Sequence, residues 1–249
     1  MKKVLAFAGF SLLAVGAFAQ TNLQVFYDLG SDRKFITTTL EGFHQDNWGN
    51  TFFFIDYDYN YKDYDDDIQA PSNTYFEIAR CLNFWSDTKL APLSLQVEYN
   101  GGFGTFGLGG GAAGAFPVTN AWLFGVDYFL HSADFANTLN LKVLYKKIKG
   151  DSDSTPLQFT AVWGMQDLFG IEGLRFSGFA DFWGQKQCIS DDETDWVFLS
   201  EPQLWYNVGR FFGCENLNIG GEVELGYNFA GNPEDGFVCN PCVGAKWVF

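Results

Sequence analysis

Apolar and polar side chains alternate one by one along most of this chain, and few folds are compatible with that rhythm. In Leu93-Ser-Leu-Gln-Val-Glu-Tyr-Asn100, Leu93, Leu95, Val97 and Tyr99 fall on one side, with Ser94, Gln96, Glu98 and Asn100 on the other. The segments from Leu139 to Lys146 and from Leu217 to Phe229 repeat the pattern. Successive side chains of a strand point to opposite faces, so a period of two means strands with one oily and one wet face. Extended along the chain, the pattern predicts twelve strands near 22–29, 34–44, 51–61, 74–85, 93–101, 119–130, 138–147, 156–166, 174–184, 195–207, 216–229 and 241–249. Strands of about 9–11 residues are long for a soluble sheet and match tilted strands crossing a bilayer. After residue 20 there is no run of about 18 apolar residues, which excludes helical spanning.

The two ends agree with this reading. Met1-Lys2-Lys3, an apolar run from Val4 and the small-x-small Ala17-Phe18-Ala19 before Gln20 have the form of a secretory signal. Residues 1–19 are therefore expected to be a signal peptide and residues 20–249 the barrel domain. The last strand carries Val243, Ala245, Trp247 and Phe249 on one face, preceded by Gly244. Gly244, Trp247 and Phe249 resemble the outer-membrane barrel assembly signal, which implies capture of an open strand edge by barrel assembly machinery. Short connections such as Asp46–Asn50, Ser86–Ala91, Ser132–Ala136, Phe169–Gly173 and Gly209–Asn216 alternate with longer ones. That asymmetry fits periplasmic turns and outer loops, and an even strand count leaves both termini periplasmic. The fold expected is all-β: a single transmembrane antiparallel β-barrel of about twelve strands, set in the outer-membrane lipid of a Gram-negative bacterium. Pro202 marks a bulge or edge within 195–207.

Composition narrows function mainly by exclusion. A net charge of −15, more negative once Lys2 and Lys3 are removed, argues against a nucleic-acid partner, whose binding needs basic patches. Five cysteines leave at least one thiol outside any set of bridges; a bridge from Cys188 to Cys239 is expected, with Cys242 the alternative partner. His44 and His131 are the two histidines, and no nucleophile motif accompanies them, so the chain is read as no enzyme. Gly102-Phe-Gly104-Thr-Phe-Gly107 has dinucleotide-motif spacing but more glycine where a helix should begin, and reads instead as an outer loop over Gly102–Val118. Asp56-Tyr-Asp58-Tyr-Asn60 lacks the glycine and distal glutamate of a calcium loop, and strand alternation explains it. The acidic run Asp63 to Asp67 is read as solvated. No cofactor and no metal site is expected.

The less oily side of each strand is assigned to the lumen. It holds Asp56, Asp58, Tyr75, Glu77, Gln96, Glu98, Asp127, Lys142, Lys146, Gln158, Arg175, Phe179, Asp181, Trp183, Glu201, Gln203, Trp205, Glu222, Glu224 and Lys246. Rings beside ionisable groups suit a narrow selective pore, where rings stack on flat solutes and polar groups orient them.

Tyr75-Phe-Glu77-Ile78 and Phe176-Ser-Gly-Phe179-Ala-Asp181-Phe-Trp183-Gly184, with the strand count and rhythm, resemble the Tsx-type nucleoside-specific outer-membrane channels and an uncharacterised outer-membrane family related to them. The resemblance implies a twelve-stranded barrel passing nucleosides along weak sites, with lumen roles for Glu77, Phe179 and Asp181. The expected function is passive diffusion of small polar solutes. Asp56, Asp58, Tyr75, Trp183, Glu98, Lys142 and Arg175 join those three as candidate solute-binding residues. The alternatives are a closed structural or surface-binding barrel and an embedded hydrolase using His44 or His131.

Overall fold

The computed structural model describes residues 20–30, 33–59, 72–109, 112–150, 156–188, 193–229 and 236–249. The expected signal peptide and the acidic run Asp63 to Asp67 lie outside the described residues. Thirteen strands follow in order: β1 Gln20–Asp28, β2 Ile36–Asp46, β3 Gly49–Tyr59, β4 Asn73–Leu82, β5 Leu93–Gly109, β6 Ala112–His131, β7 Asn137–Ile148, β8 Leu157–Met165, β9 Leu174–Cys188, β10 Glu193–Ser200, β11 Gln203–Asn207, β12 Leu217–Tyr227 and β13 Phe237–Val248. Every neighbouring pair is antiparallel, and β1 closes on β13 from Asn22↔Val248 to Asp28↔Cys242. Both β10 and β11 pair with β9 and with β12, so they are halves of one stave and the barrel has twelve. The break falls at Glu201-Pro202, where proline has no N–H for the ladder. Glu201 N instead donates to Phe179 O at 3.1 Å, and Pro202 O accepts from Val223 N at 3.0 Å, which holds the wall shut across the break.

Closure leaves no unpaired sheet edge for lipid to meet. Leu23, Val25, Ile78, Leu95, Val126, Leu141, Val143, Ile219 and Val243 point outward and stand exposed. Above this aliphatic band lie Tyr27, Trp122, Tyr145, Trp196, Tyr227 and Phe237; below it lie Trp48, Phe84, Phe169, Phe211, Phe212, Trp247 and Phe249, all exposed. Two aromatic girdles flanking an apolar belt are what a bilayer's two interfaces select. The interior alternates with this exterior and is largely polar, with rings such as Phe26, Phe179 and Trp183 among the polar groups and a small apolar knot of Ala121, Leu123, Leu144 and Ile148.

Two readings of the connections change. The stretch Gly102–Val118 is no loop: β5 and β6 stay paired up to Gly109↔Ala112. The Phe116 ring covers Gly104 and the Phe106 ring covers Gly114, so aromatic cross-strand cover replaces the packing that glycine lacks. Among the described residues, β5 beyond Thr105, which donates to Ser72 O, and β6 before Asn120, whose O accepts from Lys149 N, pair only with each other, so the ribbon stands clear of the rim. A bulge opposite Gly101–Phe103, with Thr119 at φ 49°, bends it at its base. The cysteines also divide by face. On β13 Cys239 is exposed on the outside and Cys242 lines the lumen, both as free thiols, while the side chain of Cys188 lies outside the described residues.

Candidate functional site

The inward faces enclose a cavity of about 2570 Å³. Its lining runs from Gln20, Asn47, Ser86, His131 and Phe249 at the turn-side rim to Arg33, Pro117, Lys149 and Phe229 at the other. All ten candidate solute-binding residues line it: Asp56, Asp58, Tyr75, Glu77, Glu98, Lys142, Arg175, Phe179, Asp181 and Trp183. Gln96 and Trp205 face inward as expected but are covered by their neighbours. The alternation thus assigns faces correctly even on β6, where Asp127 is inward.

Across β4 to β9 the wall is a chain of polar contacts between neighbouring strands. Tyr75 OH donates to Glu77 Oε1 at 2.6 Å, and Asn100 Nδ2 to the same oxygen at 2.9 Å. Gln96 Nε2 donates to Glu98 Oε2 at 2.6 Å. Asn140 Nδ2 holds both oxygens of Asp127 at 2.9 Å. Lys146 Nζ donates to Gln158 Oε1 at 2.8 Å, Gln158 Nε2 to Thr160 Oγ1 at 3.0 Å, and Thr160 Oγ1 to Asp181 Oδ1 at 2.5 Å. The Lys146 ammonium also sits 4.0 Å over the Trp183 ring.

The opposite wall, β10 to β13 and β1 to β3, repeats this with other residues. Lys246 Nζ lies 4.3 Å over Trp205 and donates to Gln203 Oε1 at 3.2 Å. Gln203 Nε2 donates to Glu222 Oε2 at 2.8 Å. Thr39 Oγ1 donates to Asp56 Oδ1 at 2.5 Å, Thr37 Oγ1 to Asp58 Oδ1 at 2.8 Å, and Asn22 Nδ2 to Glu41 Oε1 at 2.8 Å. Arg33 bridges Glu224 at 2.7 Å and Asp28 at 3.3 Å near the outer rim. In the ring of staves Glu77 on β4 stands opposite Glu201 at the β10–β11 break, and Glu201 interacts electrostatically with both Glu77 and Asp56. Carboxylates thus face the lumen from opposite walls.

Gln24, Asn22, Glu41, Asp28, Arg33, Thr39 and Thr160 were not singled out from the sequence. Parity along β1 and β2 marks most of them, because Asn22 and Gln24 alternate with Leu23 and Val25. The two histidines sit on different staves: His44 on β2, and His131 at the end of β6, where its ring stacks 3.9 Å from that of Phe135.

A closed twelve-stave barrel, apolar and girdled outside and polar within, is an outer-membrane protein of a Gram-negative bacterium. The chain belongs to the family described as Domain of unknown function (DUF5020), whose model matches residues 19–249. No curated protein matches the sequence. Among solved structures it is similar to a BenF-like porin from Pseudomonas fluorescens Pf-5, with 9% identity, TM-score 0.42, and 91% of this chain set against 58% of the porin. It therefore spans little more than half the length of that protein. Acinetobacter baumannii Omp33 gives 12% identity and TM-score 0.41 over 93% of this chain and 98% of that one. Pseudomonas aeruginosa OccK2 (OpdF), in complex with glucuronate, gives 10% identity and TM-score 0.39 over 93% and 97%. Likeness at these scores carries no weight for function.

Proposed function

We propose that this barrel is a passive channel for small polar solutes, with nucleosides the leading candidates. The observation behind this reading is the cavity itself, continuous between residues of both rims and lined mostly by polar side chains with rings among them. Phe179 and Asp181 alternate onto the lumen of β9, so a flat base has a ring beside a carboxylate acceptor, with Trp183 next along the strand beneath Lys146. The choice of nucleosides among such solutes rests on the resemblance to Tsx-type channels. Outer-membrane lipid contacts the belt, and Gly244, Trp247 and Phe249 are the proposed recognition end for barrel assembly machinery. Cys239 and Cys242 are free thiols here, so a bridge from Cys188 to Cys239, or to Cys242 as the alternative, is a proposal for the oxidised protein.

Planar-bilayer recording of refolded protein tests the channel. Stepwise current is expected, with adenosine reducing it more than glucose does. In Phe179→Ala the block should weaken about tenfold, since stacking a base on a ring contributes about 1–3 kcal/mol. Silent bilayers would favour a closed structural barrel, and equal block in parent and variant would remove Phe179 from the site.

A further inference from the structure

The lumen carries twice as many carboxylates as basic side chains, so its own cations leave half of that negative charge unanswered. Twelve carboxylate residues line the cavity against six basic ones. Among the described residues, the ion pairs of the lining carboxylates are those of Arg33 with Asp28 and Glu224 and of Arg80 with Asp46. Lys146 and Lys246 are each held by a glutamine oxygen and an indole ring, not by a carboxylate within ion-pair distance. Asp56, Glu77, Glu98 and Glu222 meanwhile accept from Thr39, Tyr75 and Asn100, Gln96 and Gln203, all neutral donors. Neutral donors satisfy lone pairs and leave the charge in place.

A second observation comes from Gln24. Its side chain is fully buried and faces the lumen, and its Nε2 donates to Asn22 Oδ1 at 2.9 Å while its Oε1 has no partner. A buried carbonyl oxygen without a donor costs about 1–3 kcal/mol. Gln24 shares one cross-strand row with Lys246 on one side and Thr39 and Asp56 on the other, and the Phe26 ring lines the lumen two residues along β1. Glutamine oxygen beside an aromatic ring is how the protein seats its own two lysines. At Gln24 the oxygen and a nearby ring and carboxylate are present, but the row's own lysine, Lys246, donates to Gln203 and leaves the Gln24 oxygen without a donor.

We propose that the channel selects cations and that the Gln24–Asp56 row binds a small organic ammonium, which supplies the missing donor and part of the missing charge. The inference rests on the channel reading above and adds a second solute class beside nucleosides: amine-bearing cations. An ammonium fits better than a bare metal ion, because the carboxylates are spread over several staves and rings stand among them. No group of three metal-ligating side chains assembles among the described residues.

The test is the reversal potential in a KCl gradient, followed by block with putrescine. Potassium should permeate roughly fivefold more readily than chloride, as rings of carboxylates impose in cation channels. In Asp56→Asn/Glu201→Gln/Glu222→Gln that ratio should fall at least twofold, and in Gln24→Leu putrescine block should weaken several-fold with the ion ratio kept. Current without preference for potassium, or putrescine block unchanged in Gln24→Leu, overturns the inference and leaves the channel standing. If bilayers stay silent, putrescine binding to refolded protein in detergent decides. Binding lost in Gln24→Leu upholds the site while the channel reading fails; no binding overturns the site as well.

Discussion

Trp205 and Phe26 meet across two strands because two glycines let them. Register places Trp205 beside Gly220, Gly220 beside Gly244, and Gly244 beside Phe26, all on the lumen face. The two rings close over that gap with centroids 5.6 Å apart. A methyl group on Gly220 would meet Trp205 Cε3 at 2.9 Å as well as the Leu204 carbonyl, and one on Gly244 would meet Phe26 Cδ1 at 2.8 Å. Backbone cannot yield as a side-chain tip can, so Gly220→Val should cost about 1–3 kcal/mol by overpacking. It should also unseat Trp205 from beneath Lys246. A lowered urea midpoint with altered tryptophan emission is the expected reading; an unchanged midpoint would mean that the wall yields there. Parity in the sequence puts Trp205, Gly220, Gly244 and Phe26 on one face. It cannot say that they share a row, because a row exists only after four strands are in register. Gln24 and Thr39 went unnoticed for the same reason: each is an ordinary wet-face residue until its neighbours across the ladder are known.

At the scale of the element, the places where reading and structure part follow from what pairing supplies. Pro202 was legible as an interruption because a missing N–H is a property of the residue itself. The ribbon of β5 and β6 was not, since glycine weakens a strand by its own propensity and Gly102 to Gly111 is rich in it. What holds the ribbon is Phe106 and Phe116 lying over glycines of the facing strand, a cross-strand effect. It follows that the ribbon is an appendage to the wall. Replacing residues 106–114 by a two-residue Asn-Gly turn should leave the barrel closed, because the bonds to the β4 and β7 sides end at Thr105 and Asn120. The truncated protein should keep its heat-modifiable mobility on a denaturing gel. A barrel that no longer resists detergent would show that the ribbon takes part in closure.

For the whole molecule, the decisive property is which side of the wall each side chain occupies, since a slip of one residue would turn the polar lumen outward. The tryptophans report this directly. Trp122, Trp196 and Trp247 are exposed on the outer face within the girdles, whereas Trp183 is 5% and Trp205 1% exposed on the lumen side. Bilayers with brominated acyl chains quench an indole that touches lipid and leave a lumen indole bright. In variants keeping a single tryptophan, those with Trp122, Trp196 or Trp247 should dim several-fold more than those with Trp183 or Trp205. A water-borne quencher small enough to enter the cavity should act on Trp183, which lines it, more than on Trp205, which Lys246 and Phe26 cover. Strong lipid quenching of Trp183 would mean that β9 is inverted. Phe179 and Asp181 would then face lipid, and no solute in the lumen would meet them.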